Sequence, residues 1–469
     1  MGKKAPVAVL SALLMCTLRV SADDSPLAIT PQGLSTEQAL PALDGRAEQL
    51  PLSAAAPGQL TLNDAVNRAV GWHPAIREAV GKLLAQNDQI DVAKSKYYPQ
   101  ISAGMNNGYS NTYVDHGFSP SLVLSVSQVL YDFGKISSQV RAESAGAAQQ
   151  QANVLVSIDT VAHDTATAMV QVQTWQQMVD AAKEQLTALN AIGTLTQQRS
   201  DEGATSQSDV VQTDARIEAA RAQLAQFQAN LDSAQETLKS FLGWNTLNGV
   251  SDEFPAKLAQ SCDVAKADDR LVPAVLAAWA QANVAQANLD YANAQMTPTI
   301  SLNPQVEHYL NNNYPSHEVL DKTQYSTWVK VEMPLYQGGG LTARRDAASH
   351  AVDAAQSTIQ RTRLDVRQKL LESKSQTLSL ASSLQIQRRQ QQLSERTREL
   401  YQQQYLDLGS RPLLDVLNAE QEVYQARFSE LQTLNQLHQL QLNCLYNSGA
   451  LRQAFKLEGR SIQSVEIQP

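Results

Sequence analysis

The chain has 469 residues, with 37 Lys and Arg against 46 Asp and Glu, a formal net charge of −9. That balance argues against a nucleic-acid partner, which requires a basic face, and the length allows two or three ordinary domains or one long repeated architecture. Only 18% of residues are charged, which departs from the mixed-charge surface of an ordinary soluble coiled coil.

Residues 1–22 read as a secretory signal. Lys3 and Lys4 precede an apolar run from Val7 to Leu18, and Val20-Ser21-Ala22 offers small residues before Asp23. Leu14-Met15 stand before Cys16 where a lipidation signal wants small residues, so lipidation is not expected. Cleavage leaves Cys262 and Cys444, far apart and without metal-type spacing. They are expected as two lone cysteines, with a disulfide open to them in an oxidising compartment. No run after residue 22 reaches the ~18–20 apolar residues of a membrane helix, so any membrane crossing must use strands.

From residue 60 onward the same order of elements occurs twice, about 200 residues apart, as in repeat architectures. His73-Pro74-Ala75-Ile76 opens a helical stretch ending at Tyr98-Pro99-Gln100-Ile101-Ser102, and Val272-Pro273-Ala274-Val275 opens another ending at Thr297-Pro298-Thr299-Ile300-Ser301. Leu130-Tyr131-Asp132-Phe133-Gly134 then answers to Leu335-Tyr336-Gln337-Gly338-Gly339. Gly203 with Asp209-Val210 answers to Gly409 with Asp415-Val416, and Ala220-Arg221 to Ala426-Arg427.

Each half reads as short helix, strand, strand, long helix, short helix. The stretches 134–200 and 340–408 are Pro-free and rich in Ala, Gln, Leu and Arg, which are strong helix formers. At 1.5 Å per residue each spans about 100 Å and needs lateral partners. The short helices in each half together nearly equal the long one, so two stacked end to end would line it. Leu384, Leu393 and Leu400, and Leu413, Leu417, Val423 and Leu431, recur at helical-seam spacing. That pattern by itself favours a soluble antiparallel coiled coil.

The segments after Pro99 and Pro298 alternate with period two over about ten residues, the length of a tilted membrane strand. Leu122, Leu124, Val126, Gln128 and Leu130 fall on one face of 121–131, and Tyr325, Thr327, Val329, Val331, Met333 and Leu335 on one face of 325–335. Ile300, Leu302, Pro304 and Val306 alternate with Thr299, Ser301, Asn303 and Gln305. Thirteen of the 26 aromatic residues lie in 97–136 and 291–336, as interfacial girdles of a membrane barrel require. Exposed hairpins on a small soluble core are the competing reading. Four strands cannot close a membrane barrel, and an open edge in lipid is forbidden, so several chains must share one barrel if the strands enter lipid.

Together these features resemble the TolC family of outer-membrane export channels. The match is carried by Ser127-Gln128-Val129-Leu130-Tyr131-Asp132-Phe133-Gly134-Lys135, by Pro334-Leu335-Tyr336-Gln337-Gly338-Gly339, and by Gly409-Ser410-Arg411-Pro412-Leu413-Leu414-Asp415-Val416-Leu417-Asn418-Ala419. The resemblance implies a mainly α chain with a small β membrane part: a tandem repeat whose long antiparallel helices form a periplasmic α-barrel. Its four strands would contribute to a shared 12-stranded barrel in a homotrimer. It implies outer-membrane lipid around the barrel, a periplasmic adaptor (membrane fusion protein) and an inner-membrane ABC or RND transporter as partners, and no nucleic acid or cofactor.

On that reading the chain divides into a signal peptide (1–22), an N-terminal periplasmic extension (23–59), a first repeat (60–242), an inter-repeat equatorial linker (243–271), a second repeat (272–450) and a C-terminal tail (451–469). The first repeat holds helices over 60–98, strands over 99–133, a long helix over 134–200 and a helix over 204–242. The second holds a helix over 272–297, strands over 298–335, a long helix over 340–408 and a helix over 411–450.

By the same resemblance, the helix tips Gly203, Ala204, Gly409 and Ser410 contact the adaptor, and Asp415 with Arg411 forms a periplasmic gate. Asn418 stands where some members carry a second acid. Asp415 equally suits the first turn of a helix, where a carboxylate meets the helix dipole. Gly134, Gly338 and Gly339 read as strand-to-helix hinges.

Catalytic patterns are not found. His73, His163, His308, His317, His350 and His438 form no ligand set, Gly338-Gly339-Gly340 lacks the Lys-Ser/Thr of a phosphate loop, and Gly-x-Ser-x-Gly does not occur. The function expected is the exit duct of a tripartite export system of a Gram-negative outer membrane, closest to type I protein secretion and agglutination-type members. The outer-membrane part of an RND-type multidrug pump is the alternative. A periplasmic structural coiled coil or adaptor is a second, although an adaptor should show a lipoyl-like β-rich domain beside its helices.

Overall fold

The computed structural model describes residues 27–29, 58–110, 117–265, 271–314, 319–407, 409–463 and 465–467. The signal segment 1–22 and nearly all of the 23–59 extension lie outside the described residues, as do Tyr113 and His317.

A short strand β1 (Leu27–Ile29) precedes helices α1 (Leu62–Trp72) and α2 (Pro74–Ser95). Thr61 caps α1 by accepting from the backbone N–H of Asp64 at 3.2 Å. Pro74 at the first position of α2 cannot continue the preceding hydrogen-bond ladder, so the chain breaks between the two helices at His73. Strands β2 (Gln100–Ser110) and β3 (Gly117–Tyr131) lead into the long helix α3 (Lys135–Asp201), which reverses into α4 (Gln207–Leu242).

Two single-turn helices, α5 (Ala256–Ala259) and α6 (Ser261–Val264), connect the halves. The order then recurs as α7 (Pro273–Ala294), β4 (Thr299–Tyr309), β5 (Thr323–Glu332), α8 (Gly340–Leu406) and α9 (Leu413–Ser448). Corresponding helices have identical lengths: α2 and α7 have 22 residues, α3 and α8 have 67, and α4 and α9 have 36. At 1.5 Å per residue the two long helices extend about 100 Å.

Helix α3 is lined by α2 and α4 on one side and by α7 and α9 on the other, while α8 packs on α7 and α9. The four-helix-wide wall therefore runs α2/α4, α3, α7/α9, α8, with a short pair stacked along each long helix. That packing supplies the lateral contacts such long helices need.

The main core sits partway along the wall. There Leu62, Val66, Val70, Ile76, Leu83, Leu155, Ile158 and Met169 are buried together with Leu238 and Leu242. The stretch 451–469 was expected as a tail, but its described residues are part of this core. Helix α10 (Leu451–Ala454) and a hairpin of β6 (Arg460–Ile462) and β7 (Val465–Ile467) bury Leu451, Phe455, Leu457, Ile462, Val465 and Ile467. Strand β1 pairs in parallel with β7. Gln463, at φ 48°, donates to the carbonyls of Val70 and His73 and so caps the end of α1. The apolar alternation that drives this docking is only three residues per strand, too short to stand out beside the polar residues around it.

The cysteines differ from the expectation of two lone thiols. Cys262 and Cys444 form a disulfide, with Cα atoms 5.2 Å apart and 182 residues between them in sequence. Ser261 donates to the carbonyl of Gln441 and Gln441 donates to that of Ala259, both at 2.7 Å, which lays α6 against α9 and brings the sulfurs together. Separation in sequence carries no trace of this docking.

Candidate functional site

Strands β2, β3, β4 and β5 form one antiparallel sheet in that order, so β3–β4 joins the two repeats. Its register sorts side chains by chemistry. Ala103, Leu124, Val306 and Tyr325 lie in one row across all four strands, Ile101 faces Val126, and Leu302 faces Val329. One residue along, Ser102, Ser125, Gln305 and Ser326 form a polar row. The polar face is cross-linked: Ser121 Oγ donates to Glu307 at 2.6 Å, and Ser127 Oγ donates to Asn303 at 2.9 Å.

The apolar face is uncovered. Ile101 is 70% exposed and Tyr325 76%, and a continuous apolar surface of this size marks a partner or a membrane. A bulge between Val129 and Tyr131 breaks the expected alternation. Leu130 is the extra residue there, and Tyr131, not Leu130, comes opposite Ile300.

Aromatic rings gather at the two ends of the sheet. Tyr109 meets Phe118 edge-on at 5.7 Å and Tyr309 stacks on Tyr314 at 4.9 Å at one end, while Tyr131 meets Phe133 at 4.6 Å at the other. From Ile101 to Tyr109 is about 26 Å of strand at ~3.3 Å per residue, which at the usual tilt of about 35–45° rises about 20 Å, most of the ~25 Å height of an outer-membrane apolar band. Among the described residues no helix is long and apolar enough to cross a membrane.

The strand-to-helix joints explain the Tyr-Asp-Phe-Gly segment. Phe133 (φ 53°) and Gly134 (φ 94°) make a left-handed turn, and the Asp132 carboxylate accepts from the backbone N–H groups of Gly134 at 3.0 Å and Ile136 at 2.6 Å. Asp132 thus satisfies the free donors at the start of α3 and places a negative charge on the helix dipole. In the second repeat two left-handed glycines, Gly338 (φ 60°) and Gly339 (φ 82°), make the turn, with Gly340 N–H donating to the Gln337 carbonyl.

At the far end of the wall lie the two reversals. Gly203 (φ 75°) and Gly409 (φ 60°) hold the left-handed conformation each tight turn demands. Ala204 N–H returns to the carbonyl of Arg199 at 2.7 Å, and Ser410 N–H to that of Gln404 at 3.3 Å. All four tip residues are exposed. Ser206 and Asp209 form a reciprocal capping box at the start of α4. The hydrogen bond from Thr205 holds the Asp209 carboxyl below the usual carboxylate range.

Arg411 and Asp415 meet across one turn, Nη1 to Oδ2 at 3.1 Å, with side chains 32% and 36% exposed. Arg411 also donates through Nε to Gln404 at 3.1 Å, and its guanidinium lies 4.0 Å over the Tyr401 ring. The arginine therefore ties the start of α9 back to the last turns of α8. Asn418 points elsewhere, accepting from Arg216 of α4 at 3.2 Å.

Three further arrangements at this end go beyond the seam positions Leu413 and Leu417 read from the sequence. Arg199 donates to the terminal carbonyls of α8 at Tyr405 and Leu406 and stacks on the Tyr405 ring, joining one tip to the other. Leu189, Ile192, Ile217, Leu413, Val416 and Leu417 form a small core between the tips. Glu420 is fully buried, accepts from Gln402 at 3.4 Å and lies 3.7 Å from Arg398. Burial pushes its carboxyl above the usual range, opposed by Arg398. Only the 206-residue offset between Gly203 and Gly409 hinted that the tips lie side by side.

Among the described residues no group of three or more His, Cys, Asp and Glu is gathered to hold a metal ion. The family model described as outer membrane efflux protein matches residues 65–244 and 271–448, both repeats almost entirely. The chain belongs to the outer membrane efflux protein family. It is 22% identical over 384 residues to the outer membrane efflux protein BepC of Brucella suis, covering 79% of this chain and 81% of that one. It is 23% identical over 397 residues to the outer membrane protein TolC of Salmonella enteritidis, covering 81% and 80%. The fold matches the crystal structure of the outer membrane protein VceC of Vibrio cholerae with a TM-score of 0.70, at 17% identity over 83% of this chain and 96% of that one.

As a member of the outer membrane efflux protein family the chain is an outer-membrane channel protein that extends into the periplasm, and it is not an enzyme. Family membership gives the exposed apolar face its solvent. The face with Leu124, Val306 and Tyr325 suits lipid, and the serine-rich face suits an aqueous interior.

Proposed function

We propose that three copies of this chain close one duct, each giving four strands to a 12-stranded barrel and one helical wall to a periplasmic tunnel. The observation that carries the reading is the four-stranded sheet itself. It has one apolar face and two open edges, β2 and β5, and lipid tolerates no unpaired strand edge. Identical neighbours, β5 of one copy beside β2 of the next, satisfy both edges.

In this reading the duct is the exit of a tripartite export system. The exposed turns at Gly203-Ala204 and Gly409-Ser410 receive a periplasmic adaptor, and an inner-membrane transporter supplies the energy. Arg411 and Asp415 hold the periplasmic end closed, and the Asp415 carboxylates ringed around one axis favour cations. Type I protein secretion, with an ABC transporter, is the task we assign, on the Leu130–Gly134 joint that resembles agglutination-type members. A second reading, small-molecule efflux with an RND pump, is favoured by the family description and by the efflux protein BepC among its relatives.

The test is to delete the gene and measure, in one strain, secreted protein and susceptibility to drugs, alongside the native mass of the detergent-solubilised protein. A trimer with lost secretion and unchanged susceptibility supports type I export. A trimer with raised susceptibility alone transfers the assignment to efflux, and a water-soluble monomer or dimer removes the duct reading altogether.

A further inference from the structure

The four-stranded sheet sorts its residues by chemistry, and one large ring stands on the side that does not suit it. Gln100 pairs with Ser127 and Asn303 pairs with Trp328, while Ser127 Oγ donates to Asn303 at 2.9 Å, so all four share the serine-rich face. Ser326, two residues before Trp328, belongs to the polar row already described. Tyr325, Val329 and Val331 point the other way, toward lipid. Trp328 therefore faces the interior of the barrel.

The ring is open there. Trp328 is 69% exposed, whereas Tyr309, the other described ring on the interior face of the strands, is 8% exposed and stacked on Tyr314. Interfacial girdles set their tryptophans at strand ends and on the lipid side. Trp328 is mid-strand in β5 (Thr323–Glu332) and on the opposite side. In the closed barrel β5 lies beside β2 of the next copy. That strand carries Ser102, Gly104, Asn106 and Gly108 on its interior face, none large enough to cover an indole.

Charge on the same face favours one kind of visitor. The charged residues on the interior face of the described strands are Glu307, Lys330 and Glu332, a net of one negative charge per copy. Lys330 Nζ lies 2.5 Å from Glu332 Oε2, so it is neutralised and does not compete for the indole. Glu307 is four residues farther from the helices, about 13 Å along the strands. Elsewhere the face offers hydroxyl and amide groups that water satisfies equally well. A tryptophan face in such surroundings attracts cations. It discriminates among them by hydration, because guanidinium sheds water more readily than the ammonium of lysine.

The dimensions suit a contact and not a plug. Twelve strands ~4.8 Å apart and tilted about 40° make a barrel about 24 Å across. Rotation symmetry puts three copies of Trp328 at one level, where they narrow the lumen and leave it open.

We infer that Trp328 is a cargo contact inside the barrel, one indole face per copy, that holds weakly hydrated organic cations (guanidinium or quaternary ammonium groups) as they pass. The inference rests on the duct reading and adds which wall residue the cargo touches and through what chemistry. Arginines of an unfolded polypeptide and cationic drugs both carry such groups.

The test records the purified full-length channel in planar bilayers, with either an extended Ser-Arg peptide or tetrabutylammonium added on the helical side. Each probe should interrupt the parent current. Trp328→Ala should shorten the blocked time about two- to fivefold, the range of an exposed cation–π contact, and Trp328→Phe should keep part of it. Shortening with both probes assigns the shared chemistry, with the peptide alone the arginines of a polypeptide, and with tetrabutylammonium alone small cations. Equal blocked times in parent and Trp328→Ala, or a parent that neither probe blocks, overturn the contact and leave the duct reading standing. A protein that forms neither trimer nor channel overturns both. As a second measurement, the tryptophan emission lost in Trp328→Phe should be quenched by aqueous iodide and not by brominated lipid; quenching by the lipid puts the ring outside the barrel and overturns the inference.

Discussion

Arg452 donates from Nη1 to Oδ2 of Asp159 at 2.6 Å, and the two side chains are 2% and 1% exposed. The pair joins α10, next to the C-terminal hairpin, to the middle of α3, so a segment from the end of the chain is anchored in the central wall. A buried pair of this kind gives little net stability over an apolar pair of the same volume, but breaking it strands a charge. Asp159→Ala or Arg452→Ala alone should therefore cost about 3–5 kcal/mol. Asp159→Leu with Arg452→Met should recover most of that loss, because no charge is left buried. Thermal unfolding of the detergent-solubilised protein distinguishes the two cases. A double variant no better than the singles would show that the pair contributes more than charge neutralisation.

Acid should act on this region through two opposed groups. Burial pushes the Asp159 carboxyl up to about 6 against the pull of Arg452, and burial pushes His438, stacked on Phe254 at 3.8 Å, down to about 4. For Asp159 the folded chain binds the proton more tightly than the unfolded chain, so stability falls as pH rises from about 4 to 6. For His438 the unfolded chain binds the proton more tightly, so stability is lost as pH falls from about 6.5 to 4. Each shift corresponds to roughly 3 kcal/mol across its window, and the two act in opposite directions. His438→Phe removes the second term. The variant should gain more stability than the parent on acidification from pH 6 to 4, as read by denaturant unfolding at each pH.

The legible part of this fold is the part written in long periodic runs. Two Pro-free stretches with helix-forming composition specified α3 and α8, and matched joints such as Tyr131-Asp132-Phe133-Gly134 and Tyr336-Gln337-Gly338-Gly339 exposed the duplication. The apolar alternation around Leu124 and Val329 gave the membrane sheet, and the family comparison agrees. What escaped depends on contacts between distant residues. The Cys262–Cys444 bond, the burial of Phe455 and Val465, and the reach of Arg199 to the end of α8 arise only once the helices are stacked. The bulge at Leu130 escaped for a different reason: an extra residue leaves the alternation intact on either side and is visible only in the pairing.

The disulfide should matter for stability more than for traffic. It closes a loop with a sequence separation of 182 residues between the inter-repeat segment and α9, and loops of that order lose about 4–5 kcal/mol of unfolded-state freedom in the chain-entropy account. Cys262→Ser with Cys444→Ser should lower the denaturation midpoint by a loss of about 2–5 kcal/mol. Export should persist at moderate temperature, because Ser261 and Gln441 still dock α6 on α9. A non-reducing gel of the parent checks the bond, and unfolding of parent and variant checks its contribution. Parent and variant with the same midpoint would place the stabilisation in the hydrogen bonds alone.

The Arg411–Asp415 clamp is exposed enough that its removal should leave the fold intact. Partly exposed pairs of this geometry contribute roughly 0–1 kcal/mol, so the Arg411→Ala, Asp415→Ala protein should assemble and melt close to the parent. Its conductance is a different matter. Arg411 holds the start of α9 to Gln404 and Tyr401 of α8, and without it the second reversal is free to swing outward. Single-channel recordings in planar bilayers should show a larger conductance, with greater leakage of bulky antibiotics into cells. Asp415→Asn alone should keep the hydrogen bond to Arg411 and weaken cation preference, separating the latch from the charge. Unchanged conductance in the double variant would reduce Asp415 to a first-turn carboxylate that favours its own helix dipole.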